Sequence, residues 1–240
     1  MSMLRDIITE IRSLISPRLC AVCGEELTGG EKFVCMRCRY HIPMTGFIEQ
    51  EENRMKLRLT EFLPLEHVSA LFFFIPDDDW QRTIHDFKYY RRWSFALRLG
   101  EWYGYDLQKS GKYEDLDLIV PVPLHPIKHI QRTYNQSDYI ADGIASVLGV
   151  KVLHRALVRT ENSKSQTRMR YDERWKNVEG IFRVKDPNRL SGRHILLVDD
   201  VCTSGATIIS CCTAILSSCR DVRISVAALS ASYNEFGFDG

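Results

Sequence analysis

Apolar residues recur at helical spacing from the start of the chain: Leu4, Ile7, Ile8, Ile11, Leu14 and Ile15 share one face, and Pro17 ends the run. This predicts an N-terminal amphipathic helix. Its polar face mixes Arg5 and Arg12 with Asp6 and Glu10, a pattern that suits docking on the protein's own core or a partner better than a membrane surface. Residues 48–58 are dense in charge and read as a linker or a solvated helix. From residue 69 the pattern alternates. Strands are predicted at 69–75, 116–122, 151–153, 180–184, 194–199 and 222–230, and helices at 80–89, 94–107, 137–148 and 206–217, with a polar stretch reaching residue 177. The strands are continuous apolar runs rather than alternating ones, which argues an α/β fold with a largely parallel sheet flanked by helices. Ligands of such sheets sit at the carboxyl ends of the strands.

Composition changes this picture little. The 240 residues are 45% hydrophobic and 26% charged, ordinary for a globular chain with one sizeable core and a small accessory unit. With 32 Lys and Arg against 31 Asp and Glu the net charge is +1, so any contact with nucleic acid needs a local patch. No apolar run approaches the roughly 20 residues that span a bilayer, and Asp6, Glu10 and Arg12 interrupt the place where a signal peptide keeps its apolar centre. The expected location is the cytoplasm, where eight cysteines do not form a disulfide framework.

Four of those cysteines form two CxxC pairs, Cys20 with Cys23 and Cys35 with Cys38. Eleven residues separate the pairs, with a turn signal at Thr28-Gly29-Gly30. Each tight turn presents two sulfurs to a shared ion, and two turns complete a tetrahedron. Unrelated thiols or a single redox pair would leave the second CxxC unexplained. The expectation is a structural Zn2+ that folds a module too small for its own core, with no open coordination position for catalysis.

The second constellation is Ile195-Leu-Leu-Val198, Asp199-Asp200, Val201-Cys202-Thr203-Ser204-Gly205-Ala206-Thr207, followed by an apolar-periodic helix. Backbone N–H groups of the loop and the helix dipole offer a phosphate seat, Gly205 permits close backbone approach, and Thr203, Ser204 and Thr207 add hydroxyls. Carboxylates beside such a seat repel a bare anion but accept hydrogen bonds from vicinal sugar hydroxyls, which suits a ribose 5-phosphate. Neither GxxxxGK[ST] nor GxGxxG occurs. A capped core helix after a strand explains part of this run, not all of it.

The 195–207 run resembles the phosphoribosyl pyrophosphate (PRPP) signature of type I phosphoribosyltransferases, and nearly the whole chain resembles the ComF family of bacterial competence proteins. The apolar N-terminal segment and the four cysteines carry the likeness, with Ile84-His-Asp-Phe-Lys88-Tyr, Asp117-Leu-Ile-Val-Pro-Val-Pro-Leu-His125, Arg132-Thr-Tyr-Asn-Gln136, and Arg159, Gln166, Arg174 and Asn177. Thr133-Tyr134 stands where the family usually has Gly-Phe, and Cys202 where a larger residue is common. The resemblance implies a type I phosphoribosyltransferase-like fold over 67–240, preceded by a zinc unit over 1–46 and a linker over 47–66. It implies PRPP bound by Asp199, Asp200, Val201, Cys202, Thr203, Ser204, Gly205, Ala206 and Thr207, with Asp199 and Asp200 also stabilising a cationic ring. Mg2+ would accompany the leaving pyrophosphate.

Candidate cations for that pyrophosphate are Lys88, Arg132 and the segment 155–176. This segment holds seven basic and three acidic residues, net +4, with Lys164 and Arg168 near its centre. It has the chain position of a closing loop in similar enzymes, and on charge alone it also reads as a solvated surface loop. Two functions follow. One is a PRPP-dependent transferase whose acceptor no residue identifies. The other is a PRPP sensor or accessory protein that handles single-stranded DNA or contacts a DNA-uptake helicase, for which Lys88-Tyr-Tyr-Arg-Arg-Trp93 interleaves charge with rings that stack on bases or fill a core. His125 and His129 read as loop residues rather than a metal pair.

Overall fold

A computed structural model describes residues 18–84 in full, the backbone of 85–89, and residues 93–124, 134–160 and 181–237. The helix expected over 4–15 and most of the segment 155–176 lie outside these. In chain order the described elements are α1 (Met36–Tyr40), α2 (Arg54–Thr60), β1 (Val68–Phe74), α3 (Asp79–Tyr89), α4 (Trp93–Ser110), β2 (Leu118–Pro121), α5 (Gln136–Leu148), β3 (Lys151–Val152), β4 (Leu157–Arg159), β5 (Phe182–Val184), β6 (His194–Cys202), α6 (Ala206–Ser218), β7 (Arg223–Ser232) and α7 (Tyr233–Phe236).

Five strands form one sheet in the order β1-β7-β6-β2-β3, every pair parallel. Residues of β6 alternate between two cores. Ile195 and Leu197 face a layer with Met55, Leu59, Ile208, Ile209 and Phe236, while Leu196 and Val198 face one with Leu99, Tyr103, Ile140 and Ile144. Helices therefore cover both faces, the architecture expected of a type I phosphoribosyltransferase-like fold. On the second face α4 and α5 approach unusually closely. A Cβ on Gly143 would overlap the Leu97 carbonyl oxygen, and one on Gly100 the Ile140 carbonyl oxygen. Glycine inside a helix costs about 1 kcal/mol relative to alanine, and here it permits backbone-to-backbone contact.

The structure departs from the sequence reading in three places. The segment 48–58, read as a linker or a solvated helix, runs into α2, whose Met55 and Leu59 are fully buried, as is Phe47 ahead of it. Its charged residues mask an apolar pair four apart, which sits on the core. Within the stretch read as polar, Leu157–Arg159 forms β4, antiparallel to β5. Three residues carry too little periodicity to announce a strand whose partner lies more than twenty residues away. Strand β6 runs three residues past its expected end, because Asp199 pairs with Ala228, Val201 with Ser230 and Cys202 with Ala231. The acid pair thus belongs to the strand, and the turn begins at Thr203.

The cysteine unit attaches to the free edge of β1. Met44 bridges Phe72, Phe73 N–H donates to Pro43 O at 2.7 Å, Thr45 N–H donates to Leu71 O at 3.2 Å, and Trp80 Nε1 donates to Cys38 O at 3.3 Å. An edge that would otherwise be open to pairing is covered.

Candidate functional site

Strand β6 delivers its acid pair to the carboxyl end of the sheet between β2 and β7. Asp199 is buried; its Oδ1 accepts from Ser137 Oγ at 3.3 Å and from the Asp200 N–H at 2.9 Å. Asp200 is half-buried; its Oδ1 accepts the Val201 N–H at 2.8 Å, and its carbonyl accepts from Ser230 Oγ at 3.3 Å. The two acids are thus unequal. Asp199 is built into the wall, with Ser137 of α5 as a brace, and Asp200 is the more open of the two.

Beyond them Thr203 and Thr207 are exposed and Ser204 half-exposed. Gly205 has φ of 83°, a left-handed conformation that side-chain-bearing residues disfavour, and forms the N-cap of α6 with no side-chain cap bond. The N-cap residue thus supplies no side-chain acceptor to the first turn of α6, whose N–H groups lie at the positive end of the helix dipole. Cys202 is buried in the core, and burial followed by the Asp199 carboxylate pushes its thiol up. Only the main chain of Cys202 is on offer to a ligand.

At the neighbouring strand end, Asn135 Nδ2 donates to Val122 O at 3.0 Å and to Asp138 Oδ1 at 3.0 Å, pinning the start of α5 to the end of β2. His154 lies 2.9 Å from Asp142 and 3.5 Å from Asp138, a polar cluster that sequence reading missed because the imidazole is twelve or more residues from both carboxylates. Trp93 is 48% exposed and tilts against Tyr139 at 5.6 Å, so it is a surface ring rather than a core one. Lys88 falls in α3 with its side chain outside the described residues; Arg132, Lys164, Arg168, His125 and His129 also lie outside them.

The four cysteines converge. All four sulfurs lie within 4.8 Å of one another, and Cys23 Sγ is 3.7 Å from Cys35 Sγ. A tetrahedron with metal–sulfur bonds of about 2.3 Å has edges of about 3.8 Å, so the donor set fits zinc. Backbone N–H groups are aimed at the sulfurs: Cys35 N–H at Cys20 Sγ (3.4 Å) and Cys38 N–H at Cys35 Sγ (3.5 Å). Burial opposes ionisation of Cys20, but backbone hydrogen bonds bring it down to about 7. Burial and the Cys23 sulfur push Cys38 up, so full ionisation of the set calls for a cation. Glu31 braces the unit by accepting the Thr28 and Met36 N–H groups at 2.7 and 2.6 Å.

A further polar cluster lies at the opposite end of the sheet. His194 Nδ1 is 2.8 Å from Asp115 Oδ1 and Nε2 is 2.9 Å from Ser225 Oγ. The order acid–imidazole–hydroxyl mimics a nucleophile triad, but Ser225 is fully buried and also accepts the His67 N–H at 3.3 Å. It ties strands together rather than meeting a substrate.

A parallel sheet whose central strand carries an acid pair near its carboxyl end and runs into a glycine turn at a helix N-terminus makes this an α/β protein with helices on both faces. The chain is similar to competence proteins of the ComF type. It is 27% identical over 199 residues to DNA utilization protein YhgH of Escherichia coli K12, covering 79% of this chain and 80% of that protein. It is 27% identical over 104 residues to competence protein F of Haemophilus influenzae, covering 43% and 45%. With competence protein ComFC of Bacillus subtilis the identity is 33% over 91 residues, covering 38% and 35%. No family model matches. Among solved structures, a hypoxanthine phosphoribosyltransferase from Staphylococcus aureus aligns at 12% identity and a TM-score of 0.39, covering 62% of this chain and 69% of that one. Among the described residues no helix is long and apolar enough to cross a membrane.

Proposed function

We propose that this chain is a PRPP-binding phosphoribosyltransferase-like protein that serves DNA handling of the competence type. The observation that carries the ligand is the run from β6 into α6: two carboxylates of unequal exposure, then hydroxyls and a left-handed glycine at an open helix N-terminus. In this reading the α6 N-terminus and Thr203, Ser204 and Thr207 take the 5-phosphate, and Asp200, backed by Asp199, accepts from the ribose hydroxyls. Lys88, Arg132, Lys164 and Arg168 are the proposed cations for the pyrophosphate. Mg2+ would neutralise charge on that group, bound through the ligand's own oxygens and water. The proposed units are a zinc unit (1–46), a joining segment (47–66) whose helix α2 packs into the core of the last unit, and the PRPP unit (67–240), in the cytoplasm.

Turnover separates transferase from sensor. In a transferase the C1–O bond to pyrophosphate breaks and an acceptor forms the new bond to C1. Calorimetry with PRPP and Mg2+ tests the seat, and pyrophosphate release with nucleobase, ammonia and DNA acceptors tests the chemistry. Absence of PRPP binding overturns the reading; binding without release in every arm assigns the sensor role.

A second reading, contact with single-stranded DNA, is supported by a cavity of about 930 Å³ between the cysteine unit and α3–α4, lined by Lys32, Arg37, Arg82 and Arg98. Arg37, Arg82 and Arg98 have acidic neighbours in Glu25, Asp79 and Glu101, which tempers the local field. A linear loss of affinity with log salt, reduced in Lys32→Ala, tests it.

A further inference from the structure

Helix α2 is anchored at both ends. The buried Asn53 donates from Nδ2 to Val68 O at 2.7 Å and to Phe47 O at 3.2 Å, while its Oδ1 caps the helix by accepting the Lys56 N–H at 2.8 Å. On the far side Arg54 donates to the Gly237 carbonyl and Arg58 lies 3.5 Å from Glu235, which ties α2 to the segment after β7. Directly after Arg58 comes Leu59, fully buried. A Cβ on Gly205 would stand only 2.6 Å from Leu59 Cδ2, with Leu59 Cγ at 3.9 Å and Ile209 Cδ1 at 4.0 Å. The side chain of Leu59 thus occupies the space directly behind the left-handed turn that opens α6.

The geometry points to Leu59 as a positioning residue for the phosphate turn: it backs Gly205 and keeps the first-turn N–H groups of α6 where a phosphate oxygen meets them. The inference rests on the proposed reading of that turn as the 5-phosphate seat. A glycine accesses many backbone conformations, so its left-handed state must be selected by its surroundings. Close packing behind it does this, since a core at native density leaves no room for the turn to relax backwards. Removing the Leu59 branches would open that room, and a displacement of a fraction of an ångström degrades hydrogen bonds that must converge on one group.

The test compares Leu59→Ala with Leu190→Ala, whose side chain is equally buried in the same core but precedes β6 at the other end of the strand. Two readouts are taken: affinity for PRPP with Mg2+ by calorimetry, and hydrogen exchange of the amides of 203–207 without ligand. Leu59→Ala should weaken PRPP about tenfold and speed exchange at 203–207, Leu190→Ala at a similar loss of Tm should do neither, and Leu59→Met should recover most of the affinity. If Leu59→Ala does not fold, Leu59→Val takes its place. Equal effects of the two alanine variants on loop exchange overturn the inference. Should the wild type bind no PRPP while exchange still separates the variants, the ligand reading falls and the positioning of the turn stands.

Discussion

The backbone N–H of His194 donates to Asp117 Oδ2 at 2.9 Å, so the first residue of the central strand is held by a carboxylate that precedes the neighbouring strand. Asp117 also accepts from Arg193 at 2.9 Å, and Asp115 accepts from Arg223 at 2.8 Å beside its contact with the His194 ring. The His194 N–H holds Asp117 below its usual value of 3.8, and the Arg223 guanidinium does the same for Asp115. A lowered carboxylate stabilises the fold above its unfolded pKa and loses that contribution as pH falls through the folded one. Unfolding monitored against pH should therefore show stability declining below about pH 4. Both groups are well exposed, so Asp115→Asn should remove only about 0.5 kcal/mol near neutrality. A variant equally destabilised at pH 3 and pH 7 would contradict this.

His67 is expected to act higher on the pH scale. Burial first, then His194, Lys112 and Lys56, lower it from 6.5, with Glu51 opposing. The unfolded chain then takes up the proton more readily than the native one, so stability is full above about pH 6.5 and declines as pH falls below it. In His67→Phe, Tm between pH 5 and pH 7 should change less than in the wild type. An unchanged slope would remove His67 as its source.

For the metal, analysis of protein purified without chelator should find one zinc per chain. Chelation should change the fluorescence of Trp80, whose Nε1 donates to Cys38 O at 3.3 Å. The remaining thiols, Cys202, Cys211, Cys212 and Cys219, are all buried, and burial raises each of them. They should react with a thiol reagent only on unfolding, whereas Cys20, Cys23, Cys35 and Cys38 should become reactive once zinc is withdrawn. Four fast thiols before chelation would contradict the zinc assignment.

Helices α4 and α5 supply a packing test. In Gly143→Ala the new methyl meets the Leu97 carbonyl and the backbone of Gly100 and Glu101, none of which can turn aside as a side chain would. The better helix propensity of alanine, about 1 kcal/mol, is opposed by overpacking. A net loss of about 2 kcal/mol is expected in denaturant titration, and a stabilised variant would show that the two helices separate easily.

What the sequence made legible follows from how far each signal reaches. The strand Ile195–Val198 and its acid pair announce themselves because contiguous apolar residues followed by carboxylates, hydroxyls and glycine are a local pattern. The cysteine spacing is local in the same sense. Leu59 behind Gly205 was not legible, since the two residues are far apart in the chain and α2 hides its buried pair among Arg54, Lys56 and Arg58. The inequality of Asp199 and Asp200 was hidden too, because alternation along an extended strand turns neighbours to opposite sides only once the strand is known to continue to Cys202.

That inequality separates the two acids by experiment. Asp199 is buried and holds Ser137 Oγ and the Asp200 N–H, so Asp199→Ala leaves two donors facing a void and should lower folding stability by about 1–3 kcal/mol. Asp200 is the more open acid, and its loss should spare the fold but remove an acceptor for ribose hydroxyls. Asp200→Ala is expected to weaken PRPP by about 1.5–3 kcal/mol, roughly tenfold or more, with Tm close to the wild type. Ribose 5-phosphate should lose affinity by a similar factor, since it presents the same hydroxyls, whereas inorganic phosphate should be unaffected or bind slightly better once a neighbouring negative charge is gone. Equal weakening of all three ligands would mean that the substitution has disturbed the turn itself, and unchanged PRPP affinity would place the ribose away from Asp200.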